Sequence, residues 1–163
     1  MKWLLIAGIV LAGLVAAVVI TGLLLPKAHV ATRSARFNHS PEQIWALIAG
    51  DQSWRPDVRR YEPLPDQNGH RCWKEVDKHG DTITFETVES DEPRRLVTRI
   101  ADKNLPFGGS WTYEIAPDAG GSTIRITERG EVYNPIFRFV SKFIMGHTAT
   151  IDAYLNALKK RLG

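Results

Sequence analysis

Residues 110–132 read SWTYEIAPDAGGSTIRITERGEV and contain two runs of alternating apolar and polar residues. The runs Ser110–Ile115 and Ser122–Val132 show the period of two that is typical of half-buried β-strands. Pro117–Gly121 lies between them and is rich in residues that form turns. The segment therefore predicts an antiparallel hairpin with one face towards a core and the other towards water.

The apolar residues define which face of this hairpin points inward. Trp111, Tyr113 and Ile115 share one face of the first strand. Successive side chains of a strand point to opposite faces, so Thr112 and Glu114 are expected to face water.

Glu128 is the polar residue that this alternation places inward. Ile124 and Ile126 set the inward phase of the second strand, and the same phase includes Glu128. A buried carboxylate is costly unless it is paired or hydrogen-bonded. Either Glu128 is buried with partners, or a bulge near the strand end turns it to solvent, or it forms a salt bridge with Arg99 or Arg125.

The rest of the chain after residue 28 continues the antiparallel pattern. A loosely alternating strand is predicted at His29–Phe37, and short alternating runs separated by hairpin-type turns predict four more strands at Val58–Leu64, Arg71–Asp77, Thr82–Glu89 and Arg94–Ile100. These strands and the hairpin predict one seven-stranded antiparallel sheet.

Helices are predicted on both sides of these strands. Pro41–Ala49 has an apolar face, a serine that can cap it and a glycine that stops it. Asp51–Pro56 forms a second short helical turn that the proline ends. The apolar stripe of Asn134–Arg161 predicts one long helix across the sheet.

An uncharged run, Trp3–Leu25, opens the chain. At about 1.5 Å rise per residue it reaches roughly 34 Å, which is enough to cross a bilayer. A cleaved signal peptide is the alternative, but its apolar region is only about 7–15 residues long, and no Ala-x-Ala site follows here. We predict a retained single-pass anchor over residues 1–27 and one domain over residues 28–163. Basic residues nearly balance on the two sides, so the side of the membrane stays open.

Composition argues against nucleic-acid binding and against an intramolecular disulfide. The formal net charge is +3, and the 21 Lys and Arg residues are interspersed with 18 Asp and Glu residues, so no basic face for nucleic acid is expected. Cys72 is the single cysteine, so no intramolecular disulfide forms.

In its order of elements and in several short motifs the chain resembles the START-like helix-grip superfamily (SRPBCC), which includes polyketide cyclase/dehydrase-like and lipid-transfer members. The motifs are SPEQIW at Ser40–Trp45, Asp51 with WRP at Trp54–Pro56, GSWTYEI at Gly109–Ile115, ITERG at Ile126–Gly130 and the terminal helix. The resemblance implies an α+β helix-grip fold, with a curved seven-stranded sheet wrapped around the long carboxy-terminal helix and an apolar ligand cavity between them.

The candidate site residues combine strand phase with this resemblance. Trp73 and Glu75 share one face of their strand, Phe85 lies inward on the next strand, and His147 and Phe143 lie on the stripe of the long helix. Trp54 lies either at the pocket mouth or against the first helix, and Leu105–Gly109 is expected to be a flap over the entrance. The expected ligand-contacting residues are Trp54, Trp73, Glu75, Phe85, Trp111, Tyr113, Glu128, Phe143 and His147.

Sequence motifs for catalysis or metal binding are absent. The chain has no HExxH, no G-x-S-x-G and no phosphate-binding loop, so no metal and no cofactor is expected. The sequence predicts a membrane-anchored binding protein for a lipid, a quinone or other isoprenoid, or a polyketide-like compound. One alternative is a cyclase or dehydratase with Glu128 or His147 as acid or base. Another is a regulatory or protein-interaction module.

Overall fold

The computed structural model describes residues 2–163. The helices are α1 (Lys2–Leu24), α2 (Pro41–Ile48), a 3-10 turn (Gln52–Trp54), α3 (Pro135–Val140), a π-helical turn (Ser141–Met145) and α4 (Ala149–Leu162). The strands are β1 (Ala28–Phe37), β2 (Val58–Gln67), β3 (His70–Asp77), β4 (Thr82–Asp91), β5 (Arg95–Ile100), β6 (Phe107–Asp118) and β7 (Gly121–Val132).

Within residues 2–163 the strands form one seven-stranded antiparallel sheet in the order β1-β7-β6-β5-β4-β3-β2. From β2 onward each strand pairs with the next along the chain, and β1 closes against β7. The helix-grip fold predicted from the sequence is confirmed. The hairpin of β6 and β7 turns where Asp118 faces Gly121, as its turn residues predict.

The start of β6 differs from the prediction. Phe107 pairs with Val132 and Gly109 with Gly130, so most of the segment expected to be a flap is strand. Two consecutive glycines and few apolar residues hide the period of two in this stretch, and the strand is formed by the partner residues of β7.

The core lies between the sheet and two helices. Ile44 and Ile48 of α2 and Ile151 and Leu158 of α4 pack with buried residues of β7 such as Ile124. Helix α2 begins with a full capping box, in which the Ser40 side chain accepts from the Gln43 amide and the Gln43 side chain accepts from the Ser40 amide.

The carboxy-terminal helix predicted as continuous is interrupted, which corrects the sequence prediction. α3 ends at Val140, the π-helical turn follows, and Gly146 has φ +77°, which is outside the range of a right-handed helix. α4 then begins at Ala149. Apolar periodicity alone does not reveal a glycine that reverses the backbone, so the two helices were predicted as one.

Helix α1 is long and apolar enough to span a membrane by length and composition, and almost all of it is exposed. Its carboxyl end contacts α3. A Cβ at Gly22 would collide with the Pro135 carbonyl, so only glycine permits this approach. Arg138 donates from Nη1 to the Gly22 carbonyl at 3.0 Å and the Leu25 carbonyl at 3.1 Å. A cation at the carboxyl end of a helix also interacts favourably with the helix dipole.

Candidate ligand cavity

A cavity of about 560 Å³ lies between the sheet and α4. This volume is within the range of small-molecule sites. The strands supply the wall that the alternation predicts, and α4 supplies the facing wall. Among the expected site residues, those that line the cavity are Trp73, Glu75, Phe85, Trp111, Tyr113, Glu128 and His147.

Aromatic rings form one wall of the cavity. Trp73 and Phe85 are cross-strand partners, and their rings stack with centroids 5.6 Å apart. The Phe85 and Trp111 rings meet edge to face, with centroids 6.0 Å apart. Aromatic pairs of this kind combine a large apolar surface with fixed orientation. The wall can therefore hold an apolar or planar group without much rearrangement.

Glu128 is buried in the same sheet wall, on β7 opposite Trp111 of β6, and has three side-chain partners. Its Oε2 accepts from Trp111 Nε1 at 3.0 Å and from Thr150 Oγ1 at 2.5 Å. Its Oε1 lies 3.4 Å from His29 Nε2. A Cβ at Gly130 would collide with the His29 ring, so the glycine makes room for this contact. These contacts, and not Arg99 or Arg125, satisfy the carboxylate, and no bulge turns it to solvent.

His147 lies beside this cluster with one free nitrogen. Its ring stacks on His29 with centroids 4.2 Å apart, and its buried Nδ1 has no hydrogen-bond partner within residues 2–163. Burial lowers the pKa of His147, and the neighbouring His29 and Lys142 lower it further, whereas Glu128 acts in the opposite direction. A neutral imidazole with a free nitrogen is available to a ligand.

A second polar group lies on the far side of the aromatic wall. Glu75 accepts from Arg55 Nη1 at 3.0 Å and from Trp73 Nε1 at 3.0 Å. Burial raises the pKa of Glu75, which Arg55 partly opposes. Burial acts to lower the pKa of Arg55, but the Glu75 and Asp57 carboxylates outweigh it, so this pKa is raised and the guanidinium stays charged.

Tyrosines separate the two polar groups. Burial raises the pKa of Tyr113 to about 12 and raises that of Tyr154 well above its usual value. The Arg55 guanidinium lies 5.4 Å from the centroid of the Tyr154 ring, which is cation–π distance. Neutral tyrosine hydroxyl groups therefore lie between the Glu75 and Glu128 clusters.

Two expected residues lie elsewhere. Trp54 is half-buried, donates from Nε1 to the Leu47 carbonyl at 3.2 Å and meets the edge of Tyr154, so it joins the short helical turn to α2. Phe143 is 56% exposed on the π-helical turn and does not line the cavity. The helix break before Gly146 changes the direction of the Phe143 side chain.

Sequence reasoning missed three residues of the site, namely His29, Arg55 and Thr150. His29 is in phase with the buried Ala31 and Phe37 of β1, so the alternation did contain a signal for it. Arg55 and Thr150 have no such signal, because one follows a short turn and the other begins a helix whose start was not predicted. Among residues 2–163 there is no group of three or more His, Cys, Asp or Glu residues arranged to hold a metal ion.

The chain belongs to the family described as "Polyketide cyclase / dehydrase and lipid transport", whose pattern it matches over residues 28–163. This family lies within the START-like SRPBCC superfamily that the sequence resembles. No curated protein matches the chain.

Solved structures share the fold at low sequence identity. TTHA0849 from Thermus thermophilus is 17% identical with a TM-score of 0.65, covering 82% of this chain and 97% of that one. Norcoclaurine synthase from Thalictrum flavum is 13% identical with a TM-score of 0.62, covering 87% and 90%. The di-domain ARO/CYC BexL is 12% identical with a TM-score of 0.67, and the match covers 88% of this chain and 53% of BexL. At these identities the likeness is one of fold.

Proposed function

We propose that this protein is a membrane-anchored binding protein for a hydrophobic small molecule, of the lipid, quinone, isoprenoid or polyketide-like classes. The observation that supports it is the cavity itself, about 560 Å³ with an aromatic wall and two buried polar clusters, around Glu128 and around Glu75. Such a site suits a mostly apolar compound with a few polar groups. The apolar α1 helix would hold this cavity near a bilayer, where such compounds concentrate.

The state of Glu128 favours binding over catalysis. Its oxygens already contact Trp111, Thr150 and His29, and this arrangement fixes the carboxylate in place. A general acid or base must exchange a proton with the substrate, whereas these contacts engage Glu128 with protein groups. The buried Nδ1 of His147 has no partner within residues 2–163 and is available to hydrogen-bond a polar group of the ligand.

In the test, the full-length protein is purified in detergent and exposed to a total lipid extract. The compounds that it retains are then extracted into organic solvent and identified by mass spectrometry. Thr98→Trp is the blocking variant, because Thr98 is buried on β5 and lines the cavity. Ala46→Trp is the matched control, an exposed position on α2 outside the cavity. We expect a defined apolar compound from the wild type and from Ala46→Trp, and much less from Thr98→Trp. Equal recovery from all three proteins, or none from any, contradicts the proposal, and a co-purifying protein without a small molecule supports an interaction module instead.

A cyclase-like or dehydratase-like activity is the second candidate, and the free Nδ1 of His147 with its lowered pKa favours it. A neutral imidazole in an apolar cavity is a competent general base. The compounds bound to the wild type and to His147→Gln distinguish the two functions. An enzyme would leave substrate in the variant and product in the wild type, so that the masses differ by the change the reaction makes. A binding protein would hold the same compound in both, in different amounts.

A further inference from the structure

The segment Pro135–Met145, which we call the docking segment, exposes several large apolar side chains to solvent. Five of them are between 47% and 71% exposed, namely Ile136, Phe137, Phe143, Ile144 and Met145. Phe139 is half-buried, and its ring packs on that of Phe143 with centroids 5.0 Å apart. Single exposed apolar residues are ordinary, but several on one short segment mark an interaction surface.

The position of the docking segment relative to α1 identifies what covers this surface. Pro135 lies against Gly22, and Arg138 donates to the carbonyls of Gly22 and Leu25. These are the last residues of an apolar helix that is long enough to span a membrane. If α1 crosses the bilayer, the docking segment is fixed beside the point at which α1 leaves the hydrocarbon, which is the interfacial region.

The exposed charge of the segment suits a lipid surface. Arg138 is buried against the end of α1, so Lys142 is the basic residue that the segment exposes, and the segment contains no Asp or Glu. The Lys142 ammonium lies 5.7 Å from the centroid of the Phe143 ring. Aromatic and aliphatic side chains with a basic residue beside them are typical of elements that lie in the headgroup region of anionic membranes.

The same segment borders the cavity. Ser141 and Met145 of the docking segment line the cavity together with Gly146, and Met145 is 62% exposed. Phe107, at the start of β6, also lines the cavity and is 37% exposed. One side of the cavity is therefore enclosed by side chains that also reach the outer surface.

We propose that the docking segment lies in the lipid headgroup region of the bilayer and that the cavity opens towards the bilayer beside Met145 and Phe107. A ligand then passes between bilayer and cavity without crossing bulk water. The docking of the segment stands independently of the proposed function, whereas the passage of ligand rests on it. The occupant of this surface is the membrane to which α1 belongs.

The test uses the full chain reconstituted into vesicles of phosphatidylcholine and phosphatidylglycerol. In a Cys72→Ala background, Ile144→Cys is labelled with an environment-sensitive fluorophore and exposed to lipids carrying a nitroxide in the headgroup region. Ala116→Cys is the matched control, an exposed position on β6 about 30 Å along the strand from Phe107, at roughly 3.3 Å per residue. We expect a blue-shifted emission and at least threefold stronger quenching at position 144 than at position 116.

Three results would overturn the proposal. The first is equal quenching at the two positions, and the second is failure of the chain to float with the vesicles. The third is a probe at position 144 that is shielded from aqueous iodide but not quenched by nitroxide lipid, because a second protein then covers the surface. The organic extract described above tests the proposed function separately. A quenched probe at position 144 with an empty extract keeps the docking surface and removes the binding function.

Discussion

At the scale of single residues, Glu128 is the group on which most of the local structure depends. Glu128→Ala leaves the Trp111 indole N–H and the Thr150 hydroxyl without their acceptor. An unsatisfied buried polar group costs about 1–3 kcal/mol, so we expect a loss of about 2–3 kcal/mol in the free energy of unfolding. Urea unfolding of the full chain in detergent, followed by tryptophan fluorescence, measures it.

Glu114→Ala is the control for this change. Glu114 lies on the water-facing side of β6 and pairs with Arg95 at the surface, where ion pairs contribute about 0–1 kcal/mol. We expect the unfolding midpoint of Glu114→Ala to stay close to that of the wild type. Similar losses in Glu114→Ala and Glu128→Ala would show that the hydrogen bonds of Glu128 contribute no more than an exposed ion pair does.

The lowered pKa of His147 predicts a pH dependence of stability. Burial, His29 and Lys142 disfavour the imidazolium in the folded state, while Glu128 favours it. The pKa of His147 is therefore lower in the folded chain than its ordinary value of 6.5 in the unfolded chain, which binds the proton more readily. The stabilisation is fully present above pH 6.5 and is lost as the pH falls through the pKa of His147 in the folded state.

We expect the wild type to lose more thermal stability than His147→Gln when the pH is lowered from about 7 to about 5, because glutamine does not titrate in this range. Thermal unfolding of both proteins in the same detergent measures the difference. Parallel melting curves across that range would contradict the assignment of the effect to His147.

The cavity residues on strands were predictable, and those on irregular segments were not. Alternation put Trp73 and Glu75 on one face of their strand and Trp111 on the inward face of its own, because each strand side chain has only two faces available, and the resemblance added that these faces line a cavity. Trp111 faces Glu128 within the β6–β7 hairpin, but His29 reaches it through the register of β1 against β7, and Thr150 reaches it from α4. The sequence therefore placed Glu128 on the inward phase, but it left open whether the carboxylate is buried and did not show what satisfies it.

At the scale of elements, strands were predicted better than helix ends. The period of two located each strand from β1 to β7 to within a few residues. The strands are longer than the alternating runs because pairing with a neighbouring strand extends them. The apolar stripe after Asn134 predicted one helix, although Gly146 interrupts it. The apolar residues before this glycine, Phe143 and Ile144, point outward. Periodicity shows that a face is apolar but does not identify the partner that covers it.

Arg138 joins two elements, α1 and α3, and its removal is expected to loosen their contact. The side chain donates to the carbonyls of Gly22, Leu25 and Tyr133. Arg138→Met leaves these carbonyls without their donor, so we expect faster tryptic cleavage after Lys27 in detergent micelles. Arg138→Lys should be intermediate, because a single ammonium cannot reproduce the fork of the guanidinium.

The control for the junction is Arg161→Met at the exposed end of α4. It removes one arginine and one tryptic site far from Lys27 in the sequence, and the rate of cleavage after Lys27 should not change. An Arg138→Met protein cut at the wild-type rate would mean that the contact between Gly22 and Pro135 alone holds the two helices together.

At the scale of the whole molecule, a domain that encloses an apolar cavity is expected to depend on its ligand for part of its stability. A compound that binds only the folded state adds about 2.7 kcal/mol when its free concentration is 100 times its dissociation constant. For a domain of this size that free energy corresponds to a shift of roughly 5–15 °C in the midpoint of thermal unfolding. We expect the full chain to melt lower by such an amount after exhaustive detergent washing removes bound lipid, and to recover when the total extract is returned. Thr98→Trp places a large side chain in the cavity from β5 and so should melt at one temperature before and after washing, while Ala46→Trp should behave as the wild type. If washing lowers the midpoints of the wild type and Thr98→Trp equally, the stabilising lipid lies around α1 and not in the cavity, and the cavity is then unimportant for stability.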